Sequence, residues 1–345
     1  MALPGARCCS IFKTTASVPL IFYKNNTMRH AFAIVFPGQG SQSVGMLDAW
    51  GEHAIVKQAL AEASDALGED LGRLIHEGPK EALGLTRNTQ PVMLVAGVAA
   101  YRVWMAETGL APEALAGHSL GEYSALVAAG VLTLTQAAPL VRFRAEAMQD
   151  AVPVGTGAMA AILGMPAAAV MAGCAEVSRG FGEGSAEVVE AANFNDPAQT
   201  VIAGSKAAVD KACELLKAQG AKRALLLPVS APFHSSLMKP AADKLRAKLA
   251  DTAFAAPLIP VINNIDVAAE TDAERIRQAL YAQAFGPVRW VECVQALQAR
   301  GIATLLECGP GKVLAGLAKR IDANLVGLPV FDPVTLAEAH TALKA

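Results

Sequence analysis

A serine placed between a predicted strand and a predicted helix constrains the fold of this chain more than any other feature. The segment GHSLG at 117–121 has the form G-x-S-x-G, with the apolar run 114–117 before it and helical sequence at 119–129 after it. In such a strand–turn–helix the two glycines let backbone segments approach closely, and the turn lifts the serine hydroxyl clear of the sheet. The pattern predicts Ser119 as a covalent nucleophile; the alternative is that Ser119 only caps the helix.

The rest of the sequence alternates short apolar runs with longer helical stretches. Strand-like runs lie at 31–36, 114–117, 258–265 and 304–308. Helical sequence lies at 56–67, 91–107, 119–129, 272–284 and 288–299, and a last helix runs through Arg320. Alternation of this kind predicts an α/β fold whose largely parallel sheet has helices on both faces.

The middle of the chain follows a different order. Its predicted elements alternate as β-α-β-β-α-β between 157 and 229, which is the ferredoxin-like arrangement. The sequence therefore predicts a small ferredoxin-like subdomain, 154–228, inserted into a large α/β catalytic domain made of 28–153 and 229–345. Residues 1–27 carry basic side chains but no acidic one. We expect them to be an N-terminal extension, disordered or not native, with an organelle transit segment as the alternative.

Charge, apolar patterning and cysteine content exclude several classes of function. The net charge is −2, with acidic and basic residues interspersed, so neither nucleic acid nor an anionic membrane surface is an expected partner. The uncharged stretches 124–141 and 151–175 are interrupted by glycine and proline, and they lack the roughly 20 unbroken apolar residues of a membrane span. The six cysteines form no CxxC pair and no metal-ligand spacing, which favours free thiols in a reducing cytoplasm.

A serine nucleophile needs a general base, and His234 is the best-placed histidine. It lies in PVSAPFHS at 228–235, in a predicted loop after a strand, where catalytic groups collect in open α/β sheets. His118 adjoins Ser119, but neighbouring side chains on a tight turn point apart, so we expect it to orient the turn by hydrogen bonding. The other histidines lie at a strand start or in polar segments, where solvated side chains are usual: His30, His53, His76 and His340.

Two glycine-containing loops are similar to nucleotide-binding motifs without satisfying them. The loop GQGSQ at 38–42 would need a third glycine where Ser43 stands, so the dinucleotide pattern fails. The segment 309–312 likewise lacks the first glycine and the hydroxyl residue of a P-loop. We predict instead that the backbone N–H groups of Gln39 and Leu120 form an oxyanion hole beside Ser119.

Four separated motifs together resemble one family. They are FPGQGSQ at 36–42, GHSLGEYS at 117–124, NFN at 193–195 and PVSAPFH at 228–234. In this order they are similar to the malonyl-CoA:acyl carrier protein transacylases of type II fatty acid synthesis, and the similarity runs from about Met28 to near the C-terminus. The resemblance implies a hydrolase-like α/β core with a ferredoxin-like subdomain, malonyl transfer through a malonyl-serine, and acyl carrier protein as the partner.

The resemblance also implies roles for individual residues. Ser119 attacks the malonyl thioester, His234 takes its proton, and the backbone carbonyl of Gln283 orients the histidine. Arg144 grips the malonyl carboxylate, a task that suits a bidentate guanidinium. Arg142 is the neighbour with which Arg144 could be confused.

Further residues are implied on the substrate side of the cleft. Asn193 and Asn195 lie where the subdomain would face coenzyme A, His118 lines the same cleft, and Phe233 resembles the residue of the malonyl-selective polyketide acyltransferase motif. Malonyl-CoA is then a substrate, no cofactor or metal is expected, and we expect a cytoplasmic monomer. The alternatives are a trans-acting polyketide acyltransferase, a serine thioesterase or hydrolase, and a carrier-protein docking module with a dead site.

Overall fold

The computed structural model of the protein describes residues 31–153, 155–229 and 231–344. These residues form two separate sheets. In chain order their strands are β1 (Phe32–Phe36), β2 (Ala114–Gly117), β3 (Gly157–Leu163), β4 (Val189–Asp196), β5 (Gln199–Ser205), β6 (Arg223–Leu226), β7 (Val261–Ile262), β8 (Thr304–Cys308) and β9 (Val326–Val330).

Helices pack against both sheets. In chain order they are α1 (Ala54–Leu67), α2 (Leu71–Glu77), α3 (Lys80–Gly84), α4 (Thr86–Thr108), α5 (Gly121–Ala128), α6 (Leu134–Gln149), α7 (Ala167–Gly180), α8 (Lys206–Ala218), α9 (Lys239–Ala250), α10 (Ala273–Phe285), α11 (Trp290–Gln298), α12 (Val313–Ile321) and α13 (Pro333–Lys344). Within the described ranges, none of them is both long and apolar enough to cross a membrane.

The larger sheet is parallel throughout, with strand order β7-β2-β1-β8-β9. Phe36 at the end of β1 pairs with Gly117 at the end of β2, so the loops that follow these strands emerge side by side at the carboxyl edge. Every residue of β1 and β2 is buried, as expected for strands covered on both faces. The predicted parallel α/β sheet is confirmed.

Alternate residues of β1 belong to two different cores. Ile34 and Phe36 pack into the cluster that contains the apolar residues of α4, whereas Ala33 and Val35 pack into the cluster formed with α11 and α12. Successive side chains of a strand point to opposite faces. Both faces are therefore covered by helices, which explains why β1 is apolar at every position.

The smaller sheet is antiparallel, with strand order β4-β5-β3-β6, and α7 and α8 pack on it. Its element order β3-α7-β4-β5-α8-β6 is the ferredoxin-like arrangement, so this part of the fold prediction is confirmed. We keep 154–228 as the proposed bounds of the subdomain, with 28–153 and 229–345 as the large domain. The predicted extension 1–27 lies outside the described residues.

Two expectations about local elements are wrong. The strand predicted at 258–265 is reduced to Val261–Ile262, because only these residues pair with β2, and Leu258 is 78 % exposed. The helix through Arg320 is not the last element, because β9 and α13 follow it. Pro329 lies within β9, which an edge strand tolerates since one of its sides needs no ladder hydrogen bonds.

Candidate active site

The turn between β2 and α5 holds Ser119 in a left-handed conformation, with a φ of 52°. For a residue other than glycine this conformation costs about 1–3 kcal/mol and persists only where the surroundings enforce it. Both flanking positions must be glycine, because a Cβ atom at either one would collide with neighbouring backbone atoms. A Cβ on Gly117 would lie 1.9 Å from the carbonyl carbon of Gly121, and a Cβ on Gly121 would lie 2.1 Å from the carbonyl oxygen of Phe36. The turn thus presents Ser119 at the carboxyl edge of the sheet.

Asn264 follows β7, the strand next to β2, and its side chain hydrogen-bonds to this turn. Its Oδ1 accepts the backbone N–H of Ser119, and its Nδ2 donates to the carbonyl oxygen of Gly117, both at 2.7 Å. The side chain of Asn264 is fully buried, where hydrogen bonds are stronger than in water. Asn264 therefore holds the backbone on both sides of the strained position.

His234 lies within hydrogen-bond distance of Ser119. Its Nε2 is 2.7 Å from Ser119 Oγ, and its Nδ1 is 2.9 Å from the carbonyl oxygen of Gln283 and 3.2 Å from that of Gly286. Because a carbonyl only accepts, Nδ1 carries the ring proton, and Nε2 is left to accept from the serine hydroxyl. His234 also has a positive φ, 62°, so the surroundings enforce the conformations of both residues.

Titratable groups around Ser119 have displaced pKa values. Burial, followed by the nearby guanidinium of Arg144, lowers the pKa of His234 to about 3, because both disfavour the charged imidazolium. At neutral pH the ring is therefore uncharged and able to accept a proton. Burial also lowers the pKa of His118. It raises the pKa of Glu122 to about 7. Displaced pKa values of this kind concentrate at functional sites.

Arg144 projects from α6 into the same site and is 1 % exposed. Its Nη2 donates to Ser119 Oγ and to Gln283 Oε1, both at 3.1 Å, and its Nη1 donates to Gln90 Oε1 at 2.7 Å. These three acceptors are neutral. A buried guanidinium with neutral partners retains its charge for an anionic group that enters the site.

Arg142, the neighbour with which Arg144 could be confused, is occupied by a carboxylate. Its Nη1 and Nη2 donate to the two carboxylate oxygens of Glu69, at 2.8 and 2.6 Å. This bidentate pair connects α6 to the segment between α1 and α2. Arg142 therefore fits a structural role, and Arg144 remains the candidate for binding a substrate.

A cavity of about 690 Å³ opens above Ser119. It is lined by all the predicted site residues except Gln283: Ser119, His234, Gln39, Leu120, Arg144, Asn193, Asn195, His118 and Phe233. Gln283 is fully buried and reaches the site through its hydrogen bonds. In the described part of the chain, the backbone N–H groups of Gln39 and Leu120 donate to no protein acceptor, which leaves them available to an anion in the cavity.

His118 connects the turn that holds Ser119 to the small sheet. Its Nε2 lies 2.8 Å from Asn195 Oδ1 on β4, and its ring centroid lies 5.7 Å from that of Trp290. Asn193, on the same strand, forms a parallel bridge to Val288 of the large domain. These contacts place the edge of the small sheet beside the cavity.

Three buried polar residues of this site were not predicted from the sequence. Asn264 holds the turn around Ser119, Gln90 accepts from Arg144, and Glu122 accepts from the side chain of Gln283 at 2.9 Å. Asn264 stands near the end of a predicted strand and Glu122 stands inside the GHSLGEYS motif, so sequence position signalled both. Gln90 lies 54 positions from Arg144, and nothing in the sequence singles it out.

Cysteine and metal chemistry are not indicated by the described residues. Their cysteines are free and buried: Cys174, Cys213, Cys293 and Cys308. Cys8 and Cys9 lie outside the described ranges. Across those ranges, no group of three or more His, Cys, Asp or Glu side chains is arranged to hold a metal ion.

Known proteins are similar to this chain in sequence and in structure. Residues 33–321 match the family described as acyl transferase domain. The malonyl CoA-acyl carrier protein transacylase of Escherichia coli K12 is 52 % identical over 309 residues, which cover 89 % of this chain and 98 % of that protein. The crystal structure of an acyl-carrier-protein S-malonyltransferase from Burkholderia pseudomallei superposes with a TM-score of 0.87 at 62 % identity, covering 90 % of this chain and 99 % of that one.

A third similar structure is a complex. It contains a type II polyketide synthase acyl-carrier protein bound to its malonyl-transacylase, and the match has 50 % identity and a TM-score of 0.87, covering 90 % of this chain and 99 % of that one. The family match spans most of this chain, and each of these relatives is covered almost completely. This chain belongs to the acyl transferase family and, within it, to the malonyl CoA-acyl carrier protein transacylases.

Proposed function

We propose that this protein transfers the malonyl group of malonyl-CoA to the phosphopantetheine thiol of acyl carrier protein, through an ester on Ser119, and so supplies the extender for fatty acid synthesis. The observation that carries the proposal is the buried guanidinium of Arg144, which donates to Ser119 Oγ and otherwise to neutral amides. An acyl group that ends in a carboxylate satisfies that cation, whereas an uncharged acyl group leaves it unpaired.

In the first half-reaction the Ser119 hydroxyl attacks the thioester carbonyl of malonyl-CoA. His234 Nε2 accepts the hydroxyl proton as the new C–O bond forms. The backbone N–H groups of Gln39 and Leu120 donate to the negative oxygen of the tetrahedral intermediate. When the intermediate collapses, the C–S bond breaks and the thiol of coenzyme A leaves with the proton that His234 returns. The product is malonyl-Ser119.

The second half-reaction repeats these steps with a different thiol. The phosphopantetheine thiol of acyl carrier protein gives its proton to His234 and attacks the ester, and Ser119 leaves with that proton. The carbonyl of Gln283 holds the imidazole through both halves. One thioester is consumed, one is formed and every proton is returned, so the transfer needs no cofactor.

The other predicted residues are proposed to shape binding of the substrate. Asn193, Asn195 and His118 line the side of the cavity nearest the small sheet, where coenzyme A would lie. Phe233 lines the cavity next to His234 and is 8 % exposed, which suits contact with the acyl group and a preference for malonyl over a branched extender.

A direct test is the mass of the intact protein after incubation with malonyl-CoA. We expect an increase of one malonyl group, and none in Ser119→Ala, because the ester oxygen is then missing. Ser236→Ala, which alters an exposed serine near His234, is the matched control and should load normally. An undiminished adduct in Ser119→Ala would overturn the proposal. Release of free malonate without carrier protein, at a rate that rivals transfer, would support a hydrolase instead.

The solved complex favours one second candidate. Because that malonyl-transacylase is bound to a polyketide synthase acyl-carrier protein, a polyketide carrier is the alternative acceptor for this chain. Both candidates use the same donor and the same site chemistry, and they differ in the carrier that docks. Transfer rates to a fatty-acid carrier and a polyketide carrier, each bearing phosphopantetheine, distinguish them.

We further propose that the protein acts as a monomer in the cytoplasm. One chain supplies every group that the mechanism uses, so the chemistry requires no second copy. The buried thiols of the described ranges suit a reducing compartment. Light scattering after size-exclusion chromatography tests the oligomeric state, and a dimer mass would correct it.

A further inference from the structure

One buried carboxylate near the nucleophile takes no part in the proposed steps. Glu122, in the first turn of α5, is 2 % exposed. Its Oε2 accepts from the backbone N–H of Asn264 at 2.8 Å and from Nε2 of Gln283 at 2.9 Å. Burying a carboxylate is unfavourable unless hydrogen bonds compensate it, and burial raises the pKa of Glu122 to about 7. A carboxyl group in such surroundings requires an explanation.

The contacts of the Gln283 side chain determine which way its amide points. Nε2 donates to Glu122 Oε2 at 2.9 Å and to the carbonyl oxygen of Ser119 at 3.1 Å. Oε1 accepts from Nη2 of Arg144 at 3.1 Å. A reversed amide would place its NH₂ group against the guanidinium and its oxygen against two acceptors. All three contacts therefore select the same orientation.

The amide in turn holds the guanidinium of Arg144. Nη2 is shared between Gln283 Oε1 and Ser119 Oγ, so the amide keeps the cation beside the nucleophile. Burial lowers the pKa of Arg144, while Tyr123 and Glu122 oppose that change. Because the Gln283 amide stands between them, the carboxylate of Glu122 supports the cation without occupying its hydrogen-bond donors.

We infer that Glu122 and the side chain of Gln283 are positioning residues that make Ser119 selective for acyl groups ending in a carboxylate. Glu122 orients the Gln283 amide, and the amide holds Arg144 where such a carboxylate meets it. This inference rests on the proposed function. Gln283 then has two roles: its main-chain carbonyl orients the base His234, and its side chain contributes to the specificity of the site.

Gln283→Met separates these two parts, because it keeps the main-chain carbonyl and a similar volume while removing the amide. Loading of Ser119 by malonyl-CoA and by acetyl-CoA, measured by rapid quench and intact mass, gives the ratio of the two kcat/KM values. We expect this ratio to fall about 10-fold or more, the effect of losing a hydrogen bond to a charged group, because malonyl loading depends on the guanidinium more than acetyl loading does. Glu122→Gln keeps an acceptor but loses the charge, and should lower the ratio about 3-fold.

Gln278→Met, at an exposed glutamine on the same helix, is the matched control and should leave the ratio unchanged. Thermal unfolding is followed for each variant, and if Gln283→Met does not fold, the isosteric Glu122→Gln decides the question. A purely structural residue would slow both acyl-CoAs equally, so an equal loss in the variants overturns the inference. Failure of the unmodified protein to load malonate would overturn the proposed function instead.

Discussion

Two guanidinium groups on α6, two residues apart, have opposite surroundings. Arg142 binds both carboxylate oxygens of Glu69, whereas Arg144 lines the cavity and donates to three neutral oxygens. Both arginines are buried, so burial alone does not tell them apart. The hydrogen-bond partner therefore indicates the role of each buried cation: a neutralised cation stabilises packing, and a cation with neutral partners is available to a substrate.

Removal of Arg144, the cation with only neutral partners, should change activity the most. Arg144→Ala deletes the group proposed to bind the acyl carboxylate, and losing one member of a buried charge pair costs about 3–5 kcal/mol. We expect kcat/KM for malonyl-CoA to fall roughly a thousandfold, while transfer from acetyl-CoA rises relative to it. Steady-state transfer to carrier protein from the two donors measures the change.

Arg142→Ala is the control for that prediction. It removes a cation from the same helix but leaves the cavity side chains in place, so selectivity between the two donors should stay within about 3-fold. If Arg142→Ala altered the selectivity as strongly as Arg144→Ala, the distinction between the two arginines would be wrong.

A smaller effect is expected from a neutral partner of Arg144. Gln90 is 3 % exposed and accepts from Nη1 at 2.7 Å, so Gln90→Leu leaves a buried N–H group without its acceptor. We expect about a 10-fold lower kcat/KM for malonyl-CoA and little change for acetyl-CoA. Separate kcat and KM values for both donors measure it. A loss shared equally by acetyl-CoA would show that Gln90 supports the fold and not the guanidinium.

Loss of the carboxylate that pairs with Arg142 should change stability without changing selectivity. Glu69→Gln removes the carboxylate of Arg142, and because the Glu69 side chain is 42 % exposed, the pair is partly screened by water. We expect the free energy of unfolding to fall by about 1 kcal/mol, as measured by urea denaturation. A shift in the malonyl-to-acetyl ratio in this variant would contradict the structural role of Arg142.

Sequence patterns identified the candidate residues whose placement depends on local backbone geometry. The strand–turn–helix around Ser119 was predictable because its elements adjoin within one motif, and the position of His234 after a strand was predictable in the same way. The contacts that complete the site join distant parts of the chain: Asn264 and Ser119 are 145 positions apart, and Gln90 and Arg144 are 54 apart. No period or spacing in a single sequence shows that such residues meet.

The fold, like the site, was predictable only in part. Buried parallel strands such as β1 are continuous apolar runs, and these were recognised. β9 was missed because its sequence VGLPV contains glycine and proline, which weaken a strand pattern. Its place at the sheet edge, where such residues are tolerated, becomes known only when the strand order is known.

The change predicted for the pH dependence of transfer is smaller still. The proposed mechanism requires a neutral His234, and burial followed by the charge of Arg144 lowers its pKa from 6.5 to about 3. Titration of His234 should therefore not reduce kcat/KM as the pH falls from about 8 to about 5. Arg144→Ala removes the second cause, so the pKa of His234 rises and the loss of activity with acid begins at a higher pH, by up to about one pH unit.

Acetyl-CoA is the donor for this measurement, since its transfer does not need the guanidinium, and Arg142→Ala should leave the profile unchanged. A profile that does not move in Arg144→Ala would mean that burial alone sets the pKa of His234 and that the charge of Arg144 acts only on the substrate.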